Sequence, residues 1–276
     1  MIKPEVEKLV VCAPQFFRKK SGAKTDVRDG RYLANELRNE NLVEVYRNDT
    51  DELLELRSLV SSYDSIVRDL VRSKNRFKAL FRSQAITEYG SKIYSNIEAI
   101  DQLENRWDQF NADSLMFQIQ MLEETKKRYV DEFKRNITKH KVLKLLTTIP
   151  GIDVVRANQI AAITCDAKRF KNKHRYWSYC MLVKHKQISN NQVYGQKFAH
   201  GRSELKGIYM GCALSQMAGT SSFRKYYDAL LSKGISEKKA RKALARKTAS
   251  VALAVMRREK KYNDNWEKDL EKISSL

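Results

Sequence analysis

Three features of this chain have residue types and spacing that suit chemistry. Asp26 and Asp29 are three apart, so a helix would carry both on one face. Two such carboxylates can hold Mg²⁺ through oxygen, with waters and a substrate phosphate completing the octahedron. The plainer alternative is that acids in a first helical turn offset the helix dipole, and on spacing alone that alternative is the stronger. Ser189 lies in the stretch KHKQISNNQVYGQK. A serine nucleophile needs a base for its proton and positive charge beside the reacting phosphorus. His185, Lys186, Lys197, His200 and Arg202 are near enough in sequence to supply either. By residue type alone, Ser189 is an ordinary serine in a polar loop. The third feature is the Pro-Gly turn in IPGIDVVRANQ, where free N–H groups at the start of a second helix can meet a phosphate, with Gly151 and Arg156 as contacts. Asp153 in that turn would repel phosphate, so phosphate contact and a purely packing hairpin both stay open.

Other chemistries are not indicated. There is no Ser–His–Asp order, P-loop or HExxH motif, and His140, His174, His185 and His200 lack metal-ligand spacing. Cys12, Cys165, Cys180 and Cys212 are far apart, as expected of reduced thiols in a cytosolic protein and not of a zinc site or disulfide framework.

Charge indicates the partner. The chain has 276 residues, a net charge of +20 and a pI near 9.7. Residues 168–261 hold 23 Lys or Arg against 4 Asp or Glu, a local net of +19 that leaves about +1 for the rest. A fold does not require such asymmetry, whereas a polyanion-binding surface does. No apolar run approaches membrane-spanning length, and the basic segments lack the sharp two-faced pattern of interfacial helices. Nucleic acid is the expected partner and no membrane is implied.

The elements that must position these residues are mainly α-helical. Residues 8–14 read as a short buried strand stopped by proline, and Thr25 as the N-cap of a helix starting at Asp26. Leu33, Ala34 and Leu37 give that helix an apolar stripe. From Leu53, apolar residues recur at alternating spacings of three and four through Phe81, broken once by Lys74. A second such seam runs from Leu115 to Ile137, with Lys126 inside it. The segment between them, with Ile93, Ile97, Ile100 and Trp107, also has a helical pattern. These predict two long helices that fold back on one another or pair with a second copy, and both arrangements stay open. Further helices are expected over 175–183, 203–217, 222–232 and 236–262, the last with an apolar centre over 249–256.

Three blocks carry a family resemblance: VVCAP with AKTDVRDGRYLANEL; LRSLVSSYDSIVRDLVRSKNRFKALF; and IPGI with YCMLVKHKQISNN and GRSELKGIYMGCA. Together they resemble the DEDD-type insertion-sequence transposases, the one-ten family of bridge-RNA-guided recombinases. The resemblance implies a remnant of an RNase H-like α/β domain at 1–50, a coiled-coil arm at 51–140, a helical C-terminal transposase domain with a helix-hairpin-helix element at 141–265, and a tail at 266–276. It implies DNA and a structured noncoding guide RNA as partners, homo-oligomers through the coiled coil, Mg²⁺, and a cytoplasmic, nucleoid-associated protein. Asp26 and Asp29 fall on the last two of four metal-binding acids, and Ser189 falls on the nucleophile. Lys24, Gly151, Arg156, Lys184 and Lys186 become candidate nucleic-acid contacts, as do Lys197, His200 and Arg202.

The sequence departs from the family pattern in three places. GLVP is MLVK, S-S-G is Ile188-Ser189-Asn190, and GIG is Gly151-Ile152-Asp153. The first Asp and the Glu of the quartet belong on strands upstream of Met1. The expectation is therefore an N-terminally truncated copy with an incomplete acidic site. Two rival expectations are a non-catalytic nucleic-acid-binding relic and a coiled-coil assembly protein.

Overall fold

The computed structural model describes residues 10–12, 25–42, 44–45, 52–86, 90, 92–95 and 97–264. The chain divides into two units, residues 1–50 and 51–276.

In the first unit, α1 spans Asp26–Arg38, as the Thr25 cap predicts: the Thr25 hydroxyl accepts from the Arg28 N–H. No residue of α1 is buried, and Leu37 of the expected apolar stripe is more than half exposed. Cys12 and Glu44 form an isolated antiparallel bridge, with the Val45 N–H donating to Val11 O at 2.7 Å. The remainder of the expected strand lies outside the described residues, and the described part of this unit comprises one helix and one bridge.

The second unit begins with an antiparallel helical arm, α2 (Glu52–Ser83) and α3 (Arg106–Lys139). Tyr63 meets Tyr129 and Phe133 at ring distances of 6.3 and 5.1 Å, Ser73 donates to Gln118 at 3.0 Å, and Gln84 donates to Asp108 at 3.1 Å. Those pairs fix the register along the arm. Leu56, Val60, Tyr63, Leu70, Phe77 and Phe81 are buried at the predicted spacing, against Met116, Ile119 and Phe133. Each such side chain stabilises the arm by about 1.5–3 kcal/mol. Lys74, the polar break in the seam, is accommodated by an ion pair with Glu123 and lies 5.1 Å from the Tyr94 ring centroid.

The connection between the arms differs from the helix its pattern suggests. It forms 3₁₀ turns at Lys92–Ser95 and Ile97–Gln102, whose Ile93 and Ile100 close the arm's end with Leu103. The tight turns bring these side chains back over Phe77 and Phe81, where a straight helix would carry them away. Trp107 falls on α3 facing outward, 68% exposed.

The remaining helices are α4 (Lys141–Leu146), α5 (Val154–Thr164), α6 (Lys173–Tyr179), α7 (Ser203–Met217), α8 (Ser222–Ser232) and α9 (Glu237–Arg258). Helices α4, α6, α7 and α8 pack around α9, whose Ala240, Ala245, Ala249 and Ala252 are fully buried. These small residues let α4, α6, α7 and α8 approach closely, while Leu244, Val251 and Leu253 fill the spaces between. Helix α9 stops at Arg258 because Glu259 takes a left-handed φ of 51°.

The clearest departure from expectation lies between α6 and α7, where a polar loop was expected. The chain instead forms an antiparallel hairpin, β1 (Lys184–Ser189) and β2 (Gln192–Phe198). Asn190 and Asn191 turn it with φ of 47° and 62°, a left-handed pair that asparagine tolerates and two-residue hairpins require.

Candidate nucleic-acid interface

The hairpin holds Lys184, His185, Lys186, Ser189 and Lys197, and its register sets where each one points. Lys184, His185, Lys186 and Gln187 pair with Phe198, Lys197, Gln196 and Gly195. A bulge then shifts the ladder, so that Ile188 pairs with Val193 and Ser189 with Gln192. Alternation along the strands puts Lys184, Lys186, Ile188, Val193 and Phe198 on one face, and His185, Ser189 and Lys197 on the other.

The root of the hairpin is fastened. His185 Nε2 lies 2.9 Å from Ser178 Oγ on α6. The Arg202 N–H donates to Tyr179 O at 2.7 Å, and a Cβ on Gly201 would meet that same carbonyl at 2.4 Å, so only glycine passes there. The Phe198 ring lies under Lys184 and Lys206, 5.3 and 4.5 Å from its centroid. Helix α6 is itself anchored. Trp177 Nε1 donates to Arg246 O and Ser250 Oγ of α9, both at 2.9 Å, and Tyr176 joins a buried hydroxyl chain with Thr164 and Tyr209 at 2.9 and 2.7 Å. Burial pushes the Tyr176 and Tyr209 hydroxyls and the neighbouring Cys180 thiol well up from their ordinary values.

The tip of the hairpin is open. Ser189 is exposed beside the Asn190–Asn191 turn, and among the described residues no side chain is hydrogen-bonded to its Oγ. Four residues of strand separate it from His185, about 13 Å, so the pinned imidazole does not reach it. Lys184, Lys186, Lys197, His200 and Arg202 are all exposed, and the hairpin contains no acidic residue.

The Pro-Gly turn is built for packing. Gly151 has φ +82°, and a Cβ there would lie 2.9 Å from both Cys212 O and Gln216 Cγ of α7. Gln216 Nε2 donates to Pro150 O at 2.6 Å. The Asp153 carboxylate caps α5, accepting from the Arg156 N–H at 2.8 Å, and so stands at the helix start where a phosphate would bind. Arg156 folds back, donating from one nitrogen to Gly151 O at 2.7 Å and to Ser215 Oγ at 2.9 Å.

Asp26 and Asp29 are exposed in the first turn of α1. As oxygen donors they suit two positions in a divalent ion's shell. Among the described residues no group of three or more His, Cys, Asp or Glu side chains gathers to hold a metal. Lys24 lies outside the described residues. No described helix is long and apolar enough to cross a membrane.

Residue type and spacing alone do not mark Ser178, Lys206 or the apolar trio Ile188, Val193 and Tyr194. The available signal was Asn190-Asn191, a pair that tolerates the left-handed turn of a two-residue hairpin and would thereby give each flanking residue a face.

Two family models match the chain. A family model described as transposase, of the DEDD type, matches residues 10–85. A second, described as the transposase IS116/IS110/IS902 family, matches residues 143–228, from α4 through the hairpin into α8. No curated protein matches the chain. The matches define a transposase, a protein whose partner is DNA. The chain belongs to the IS110 family of insertion-sequence transposases. The DEDD type further points to divalent-metal use.

Proposed function

We propose that this chain cuts and joins DNA strands in the movement of an insertion sequence, with Ser189 as nucleophile. The observation that carries the reading is the hairpin, which displays Ser189 at an exposed tip on a strand pair rich in lysine and free of carboxylates. Ser189 Oγ bonds a backbone phosphorus as the bond from phosphorus to a sugar oxygen breaks. The hydroxyl proton passes to a base and the departing sugar oxygen takes up a proton. Attack by another strand's sugar hydroxyl reverses the step, frees the serine and restores a phosphodiester, so joining needs no outside energy source. Lys197 shares the face of Ser189 and offsets phosphate charge on that side, while Lys186 meets backbone on the other face of the ribbon. Arg202 and His200 hold the flanking backbone, while Gly151 and Arg156 shape the turn beneath. Asp26 and Asp29 would hold Mg²⁺, which when bound polarises phosphoryl oxygen. Base specificity comes from a structured guide RNA, and the protein works at the nucleoid in the cytoplasm.

Supercoiled donor plasmid incubated with protein, Mg²⁺ and the RNA of its element tests this. Strand cleavage that Ser189→Ala abolishes is the expected result. Salt-dependent DNA binding without cleavage, in the presence of RNA, would leave a non-catalytic binding module.

We also propose self-association through α3. Trp107, Phe110, Phe117 and Met121 are each more than half exposed and lie within roughly 80° on one side of the helix. Together with Ser114 they continue a heptad seam that the α2–α3 pairing leaves uncovered. A second copy supplies a matching stripe. The partner is lost, and folding kept, in Phe110→Glu/Phe117→Lys measured by sedimentation; an unchanged mass would exclude the stripe.

A further inference from the structure

We infer that the hairpin tip is a wedge that enters duplex DNA and unstacks a base step, with Ile188, Val193 and Tyr194 as the inserting side chains. The inference rests on the DNA-binding reading above and adds the mode of engagement.

Exposure is the first observation. Ile188, Val193 and Tyr194 are 59%, 52% and 68% exposed, and all three fall within seven residues of chain at the tip of one ribbon. The register makes the cluster real: Ile188 and Val193 are cross-strand partners on one face, and Tyr194 is the extra residue of the bulge beside them. A bulge re-aims its side chain and increases local twist. The fold leaves more than half of each of these apolar side chains in water.

Charge is the second observation and names the occupant. Lys184 and Lys186 share the face of Ile188 and Val193, and Lys197 lies on the opposite face. From residue 168 to 206 there are ten Lys or Arg and one acid, Glu204. An apolar protein surface would leave these lysines without counter-charges, whereas a polyanion with an apolar interior meets both requirements. Duplex DNA is such a partner: phosphates line the grooves and stacked bases lie between them. A two-stranded ribbon can enter a groove of the duplex, and apolar side chains inserted from the minor groove kink it by parting one step.

Rigidity is the third. The Ser178–His185 bond, the Gly201 passage and the Phe198 ring between two lysines hold the root, so the tip pushes against a fixed base. Ser189 follows Ile188 at the tip but points to the opposite face, so insertion of Ile188 leaves the Ser189 hydroxyl outside the opened step.

The test uses the full chain on plasmid DNA, with permanganate to oxidise unstacked thymines and a filter assay for affinity across salt. Wild type is expected to raise thymine reactivity severalfold. Ile188→Thr/Val193→Thr/Tyr194→Ser retains affinity within about threefold, because phosphate contacts supply most of it, but loses the permanganate signal. Threonine and serine keep the strands and turn in place, and circular dichroism confirms the fold. Salt-dependent binding by wild type with no added thymine reactivity overturns the wedge and leaves DNA binding standing. Reactivity that survives in the triple variant also overturns it. Binding to structured RNA alone, with none to DNA, overturns both readings.

Discussion

His185 hydrogen-bonds Ser178, not Ser189: Nε2 to Oγ is 2.9 Å, and the two residues tie the hairpin's root to α6. That separation of roles gives the first prediction. If Ser189 is the nucleophile, a covalent adduct between protein and labelled DNA, seen on a denaturing gel, disappears in Ser189→Ala. It persists in Ser178→Ala, where only the root contact is lost. The opposite result, adduct lost with Ser178→Ala and kept with Ser189→Ala, would move the nucleophile to the serine that already has an imidazole partner.

Lys184 and Lys186 share one exposed face of β1 with no carboxylate near them on the hairpin. Each lysine that neutralises a DNA phosphate contributes about 0.9 to the slope of log affinity against log salt. Lys184→Gln/Lys186→Gln should therefore lower affinity for any duplex and flatten that slope by about 2. Arg156, folded onto Gly151 O and Ser215 Oγ, serves as contrast. Its replacement should cost stability while leaving the slope near that of wild type. Equal slopes in the lysine variant and wild type would remove the hairpin from the interface.

What was legible in the sequence followed from local rules. Thr25 before Asp26 gives a helix start because a threonine hydroxyl satisfies a free N–H, and α1 begins there. The alternation from Leu56 to Phe81 gives the arm because period fixes face, and those positions are buried. Residues 203–217 and 222–232 are helical to the residue. The hairpin escaped notice because its strands are exposed on both faces and so carry no clean apolar alternation. The Ser178–His185 contact escaped because proximity in sequence does not say which serine an imidazole will meet once a strand carries it away. Asp153 could be read only halfway: its charge argued against phosphate, but its use as the α5 cap needs the fold.

Gly151 and Gly234 both adopt left-handed φ, +82° and +76°, but only Gly151 is hemmed in. Alanine at Gly234 meets nothing within 4 Å and pays the backbone cost alone, about 1–2 kcal/mol. Alanine at Gly151 adds a collision with Cys212 O and Gln216, whose amide holds Pro150 O. Urea unfolding should place Gly151→Ala below Gly234→Ala by a further 1–3 kcal/mol, on the order of a strained functional turn. Equal midpoints would mean that α7 gives way easily and that the turn is not locked against it.

Lys247 is buried in α9 with its Nζ 3.8 Å from the Tyr226 ring centroid, and burial lowers its pKa from 10.5 to about 8, with Asp264 acting in the opposite sense. The folded chain therefore releases this proton at lower pH than the unfolded chain does. Below pH 8 both states hold the proton and the full cost of burying the charge is present. Between about 8 and 10.5 the unfolded state binds more protons, so stability from this group rises with pH across that window. Other groups oppose it at the alkaline end: burial raises the Cys180 thiol, the Cys212 thiol to about 12, and the Tyr176 and Tyr209 hydroxyls, which weakens the fold as those groups ionise when unfolded. Comparison with Lys247→Met cancels those shared contributions. Methionine fills the same space without charge, so at pH 7 it removes the burial cost, on the order of 2–3 kcal/mol, and forfeits a cation–π contact worth up to about 2 kcal/mol. Thermal unfolding from pH 7 to 11 should show wild type gaining on the variant as pH rises, with most of the gain between 8 and 10.5. Parallel curves across that range would mean that Lys247 keeps its ordinary proton affinity in the fold.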